Sequence, residues 1–143
     1  MLRTTRTTSI VRIHHLGLTV RSAEASAQWY TKVLGFRRTG EYASPDGSRR
    51  KVFLDHERLG VRVGLCEHAR SSGAAFDETR PGLDHLAFAV GSVDELADWE
   101  ARLRAANVAY TPASPANTIE GARVLVFRDP DDIQLELIAV VEL

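Results

Sequence analysis

Residues 13–22 read IHHLGLTVRS and residues 83–92 read LDHLAFAVGS. Laid over one another at a shift of 70 residues (His15 onto His85), they match His15 with His85, Leu16 with Leu86, Val20 with Val90 and Ser22 with Ser92. In the first, Leu16, Leu18 and Val20 alternate with His15, Gly17 and Thr19. In the second, Leu86, Phe88 and Val90 alternate with His85, Ala87 and Ala89. Strict alternation of this kind is the mark of a strand buried on one face. A repeat at half the chain length points to two copies of one supersecondary unit.

The flanks of the two stretches agree as well. Ser22 is placed to cap a helix over about 23–34 that Gly35 stops. Ser92-Val93-Asp94-Glu95 has the form of a capping box opening a helix to about Ala106. After the first helix, strand-like runs cover 36–42, 50–55 and 61–67. The first two are joined by Ser44-Pro45-Asp46-Gly47, where proline presets φ and glycine supplies a positive one. After the second helix they cover about 108–111, 124–128 and 133–141, with a turn at Asp129-Pro130-Asp131-Asp132 between the last two. The reading is therefore α+β: two paired β-α-β-β-β modules whose curved sheets enclose a central cleft. Module one covers about 10–67, a connector 68–82, and module two about 83–141. Residues 1–9 are expected to form a loose tail ahead of a single domain over 10–143, whose first strand runs from Ile10 to Val20.

Composition narrows the function. The 143 residues are 44% hydrophobic and 26% charged, with 18 Lys+Arg against 19 Asp+Glu. Such a balance offers no basic footprint for nucleic acid. No apolar stretch approaches the roughly 20 residues a membrane span needs, and MLRTTRTTSI lacks the apolar run of a signal peptide. The single cysteine, Cys66, excludes an intrachain disulfide and a cysteine-built zinc site. A soluble, cytoplasmic, single-domain protein is the expectation.

Period-2 geometry then sorts the polar residues. With the larger apolar side chains facing the helices, His15 and His85 fall on the opposite faces of their strands. In the last strand Leu135 and Leu137 share one face and leave Glu136 on the other. If the two sheets lie side by side, His15, His85 and Glu136 converge in one concavity. Two imidazoles and a carboxylate suit one divalent ion with open positions; Fe, Mn, Ni, Co and Zn are not distinguished. Gly17 and Gly64, on the same face, leave room for a bulky ligand, and Arg62 beside them could meet an anionic substrate. Cys66 reads as a small buried residue on that face. His14 reads as packed on the helix side or near an edge, His56 and His68 as solvated loop residues, and Trp29 and Trp99 as helix packing.

The blocks IHHLGLTV (13–20), WYTKVLGF (29–36), GLDHLAFAV (82–90) and FRDPDDIQLEL (127–137), in that order, resemble the vicinal oxygen chelate superfamily. That superfamily holds glyoxalase I, bleomycin-resistance proteins, fosfomycin-resistance enzymes and extradiol dioxygenases. The resemblance implies His15, His85 and Glu136 as metal ligands and a homodimer as the working unit. It also marks departures. The fourth ligand of glyoxalase I falls on Gly64, with Glu67 nearby but on the other face. The tyrosine of the dioxygenases falls on Val126, and no histidine lies in 116–123. The threonine of the fosfomycin enzymes falls on Gly17, and Asp132 replaces the usual glycine of the Asp-Pro turn. The function expected is a metal-dependent lyase, isomerase or hydrolase binding its substrate through oxygens. The alternatives are a bleomycin-resistance-like protein that sequesters a drug or natural product without chemistry, and an Fe(II)-dependent dioxygenase.

Overall fold

A computed structural model describes residues 7–141; the first six residues of the expected tail lie outside them. Module one comprises β1 (His15–Thr19), α1 (Ala23–Leu34), β2 (Arg37–Ala43), β3 (Arg49–Asp55) and β4 (Arg62–His68). Module two repeats the order with β5 (Leu86–Ala89), α2 (Val93–Ala105), β6 (Tyr110–Pro115), β7 (Ala122–Arg128) and β8 (Gln134–Val140). The sheets have the same topology, β1-β4-β3-β2 and β5-β8-β7-β6, with the first strand of each module parallel to the last and the other neighbours antiparallel.

The helix ends follow the side chains that the sequence offered. Ser22 Oγ accepts from Ala25 N at 3.2 Å, and Gly35 closes α1 with φ 77. Glu67 adds a cap from another element, its carboxylate accepting Ala23 N at 2.8 Å. This puts Glu67 on the helix side of β4, where a carboxylate complements the helix dipole. Ser92 Oγ accepts from Glu95 N at 3.4 Å, while Glu95 reaches back to Gly91 N rather than to the cap residue's own amide.

Several boundaries differ from the periodicity reading. The first strand begins at His15, not Ile10, because among the described residues no strand pairs with 10–14, and Ile10, Val11 and Ile13 stand in solvent. His14 accordingly sits exposed ahead of β1 rather than on the helix side. His68 ends β4, half-buried, and His56 is half-buried with its ring edge-on to Phe36, 5.3 Å between centroids. Neither is a solvated loop residue. The sixth strand starts at Tyr110 and runs on to Pro115, because Asn107 takes the left-handed conformation (φ 57) and ends the α2 turn first.

The helix-bearing faces of both sheets share one core. Leu18, Val20, Val52, Leu54, Val63 and Leu65 pack beneath α1, and Leu125, Phe127, Leu135 and Leu137 beneath α2. Trp29 of α1 lies 6.3 Å from the Phe127 ring of β7, and Phe36 lies 5.9 Å from Phe88 of β5. Each fully buried leucine of this set contributes about 1.5–3 kcal/mol. A polar clamp reinforces the join between modules. Asp131 Oδ1 accepts from both the amide and the Nε of Arg21, Asp131 Oδ2 accepts from Ser26, and Asp129 Oδ2 accepts from Tyr30. The connector is tied to it through Phe76 N to Asp131 O at 2.8 Å.

Candidate metal centre

With the helix faces turned inward on a common core, the opposite faces of the two sheets are turned outward. Those faces carry the residues singled out above. On the first sheet, β1 and β4 pair His15 with Arg62, Gly17 with Gly64 and Thr19 with Cys66. On the second, β5 and β8 pair Ala87 with Glu136, and His85 stands one residue before β5 begins.

His85 and Glu136 come together. Nε2 of His85 is 3.7 Å from Oε2 of Glu136, and its Nδ1 is 2.6 Å from Oδ1 of Asp84. Asp84 draws the ring proton to Nδ1 and leaves the Nε2 lone pair aimed at the Glu136 side, the arrangement in which metal-binding histidines are normally held. The hydrogen bond that Asp84 accepts, and then the Glu136 carboxylate, raise the His85 pKa above its ordinary value. Asp84 escaped the sequence reading; an acid directly beside a candidate ligand was the available signal.

His15 does not join this pair within one chain. Its Nδ1 is 2.9 Å from Nδ1 of His14. Among the described residues no three His, Cys, Asp or Glu side chains gather as a metal site. The donor types of His85 and Glu136 fit a divalent ion, and in a single chain the set stops at two.

The surroundings of His15 are open. Gly64 has a left-over space above it in which an added Cβ would meet the Phe53 ring at 3.7 Å, and one on Gly17 would come no nearer than 3.9 Å to Cys66 Sγ. Phe53 is half-buried and lies between Gly64 and Gly40, giving this glycine floor an aromatic surface that alternation in β3 could have located. Arg62 is engaged: its Nε and Nη2 donate to the two oxygens of Asp55 at 2.8 and 3.0 Å. That pair holds the Asp55 carboxyl below its ordinary pKa. A cleft of about 880 Å³, lined by His14, Asp55, His56 and Arg62 among others, adjoins the start of β1.

Two β-α-β-β-β modules of identical strand order, with a histidine at the head of one first strand and a histidine-glutamate pair on the other sheet, define a class of small paired-module proteins. The profile of the Glyoxalase/Bleomycin resistance protein/Dioxygenase superfamily matches residues 12–137. This chain belongs to that superfamily. It is 33% identical over 129 residues to the uncharacterized protein YwkD of Bacillus subtilis (strain 168), covering 87% of this chain and 94% of that one. Among solved structures, a glyoxylase/bleomycin resistance protein/dioxygenase domain from Frankia sp. EAN1pec superposes with a TM-score of 0.82 at 34% identity, over 93% of this chain and 100% of the other. The fosfomycin resistance protein FosX of Listeria monocytogenes, solved with Mn(II) and sulfate, shares the fold with a TM-score of 0.68 at 18% identity, over 93% of this chain and 95% of that one. Within the described residues, no helix is long and apolar enough to cross a membrane.

Proposed function

We propose that this protein is a homodimeric, metal-dependent enzyme acting on a small molecule through that molecule's oxygens. In this reading His85 and Glu136 of one chain hold a divalent ion together with His15 of a second copy. The observation that carries it is the His85–Glu136 pair at 3.7 Å, with Asp84 orienting the imidazole, on a face where the described residues of one chain bring no third ligand to it. A divalent ion so held supplies Lewis acidity to substrate oxygens, which suits lyase, isomerase or hydrolase chemistry. The residues of the chain do the rest: Asp84 fixes the tautomer of His85, and Gly17 and Gly64 keep the adjoining floor clear above Phe53. Arg62 is a binding candidate only for a ligand that can compete with Asp55.

Elemental analysis after reloading with divalent metals tests this, with His15→Ala and Glu136→Ala beside the wild type. About one ion per chain is expected in the wild type, lost in both variants. Mixing the two variants is the sharper measurement. If the ligands come from two chains, random reassociation restores about a quarter of the sites, because half the dimers are mixed and each has one intact set. A site built within one chain restores none. No stoichiometric ion under any reload overturns the metal reading.

The aromatic floor at Phe53 favours a second reading, sequestration of a flat drug or natural product without turnover. Tight stoichiometric binding that chelators leave unchanged would establish it in place of the first.

A further inference from the structure

Among the described residues, seven large hydrophobic side chains stand out in solvent, and six of them fall in two patches. The first lies just ahead of β1: Ile10 is 97% exposed, Val11 85% and Ile13 63%. The second lies where β8 ends against the loop before β7, and holds Ile119, Val140 and Val141. Val141 N donates to Gly121 O there at 2.8 Å, so that loop and the strand end form one surface. Each patch has one full charge beside it, and the signs are opposite. Arg12 is the only one in residues 7–14, and Glu120 the only one in 115–122. Apolar side chains held this far into water are unusual unless something covers them.

We propose that residues 10–13 of one copy lie antiparallel across the end of β8 of a second copy, with Arg12 beside Glu120. This rests on the reading that His15 completes the second copy's His85–Glu136 pair, and it names the segment that holds the copies together. Register leads to it. Continued upstream, the alternation of β1 puts Ile13 and Val11 on the side of His15, while Ile138 and Val140 share the face of Glu136. The two modules have the same strand order, and the proposed two-fold dimer sets β1 of one copy antiparallel to β5 of the other. Since β8 is parallel to β5, going back from His15 in one chain is going forward from Glu136 in the other. Bringing His15 to Glu136 therefore carries Ile13 past Ile138 and Val11 past Val140.

The test is sedimentation equilibrium on the full chain. Val11→Asp with Ile13→Asp alters only exposed positions, so the circular dichroism spectrum should be unchanged, and the melting transition should lose only its dependence on protein concentration. The dimer dissociation constant should weaken by at least about 10-fold. Arg12→Glu should weaken it too, and adding Glu120→Arg should recover the wild-type value. A double variant that dimerises as tightly as wild type overturns the assignment of the arm and leaves the shared metal centre standing. A swap that recovers nothing overturns the antiparallel register. A wild-type chain that stays monomeric overturns the shared centre and the arm together.

Discussion

Tyr30 Oη donates to Asp129 Oδ2 at 2.8 Å, and the two groups belong to different modules: a helix of the first and the Asp-Pro turn of the second. Both are buried, at 0% and 4% exposure. Burial pushes the Asp129 carboxyl above its ordinary pKa, opposed by Tyr30 and by the amides of Asp131 and Ile133. The hydroxyl thus answers a charge that has little other access to solvent. Tyr30→Phe keeps the ring packing and leaves Asp129 short of a donor. The expected cost is about 1–3 kcal/mol in urea-induced unfolding.

The connector has its own anchor. Arg128 Nη2 donates to Glu78 Oε1 at 2.6 Å, and that hydrogen bond holds the Glu78 carboxyl below its ordinary value. A carboxyl lowered in the folded state stabilises fully above its unfolded pKa and loses that contribution as pH falls through the folded one. Amide exchange at Phe76, corrected for its intrinsic pH dependence, should therefore quicken on acidification below the ordinary glutamate range. Glu78→Gln should quicken it at neutral pH and flatten the acid dependence. An unchanged profile in the variant would remove Glu78 from this role.

Asp132 sits at φ 64, a conformation that costs a side-chain-bearing residue free energy. Its backbone does the structural work there: its amide donates to Asp129 O and its carbonyl accepts from Arg128 Nη1. Asp132→Gly keeps both bonds. It should raise stability by about 0.5–1 kcal/mol, the relief being partly offset by the greater freedom of glycine in the unfolded chain. Thermal melting of the single variant checks this.

Gly64 shows the opposite case, a glycine that the backbone does not require. It lies inside β4, and an added methyl would make ordinary contacts at 3.7 Å with Leu16 O and Phe53. Gly64→Ala should leave stability unchanged or raise it by about 0.5 kcal/mol. If the floor receives a ligand, the same methyl should weaken binding while the melting temperature holds.

The sequence showed the module plan clearly because each cue was local. Ser22, Gly35 and Ser92 cap where propensity puts them, and the alternation of 15–20 and 133–139 sets the faces of β1 and β8. Period-2 reasoning also told Glu67 from the outward face, and the structure shows it capping α1. What alternation cannot say is how one sheet faces another. That depends on contacts such as Trp29 with Phe127 and Tyr30 with Asp129, about 100 residues apart, which leave no periodic trace. Hence the sequence reading brings His15, His85 and Glu136 together, and only His85, at the head of β5, and Glu136, on the neighbouring β8, meet in the chain's own fold. The over-long first strand has a similar cause. Residues 10–13 have strand composition but no partner strand among the described residues, and composition does not count partners.

The single core beneath both helices has a consequence for dissection. A chain cut within 69–82 gives two pieces that each keep a complete strand-helix-strand order, yet each exposes half of a shared interior. Trp29 and Phe36 would lose Phe127 and Phe88, and Asp129 and Asp131 would lose Tyr30, Ser26 and Arg21. Neither piece should fold alone; mixed, they should reassemble into the parent structure. The internal repeat is thus a duplication of outline only, since what was written twice along the chain melts once.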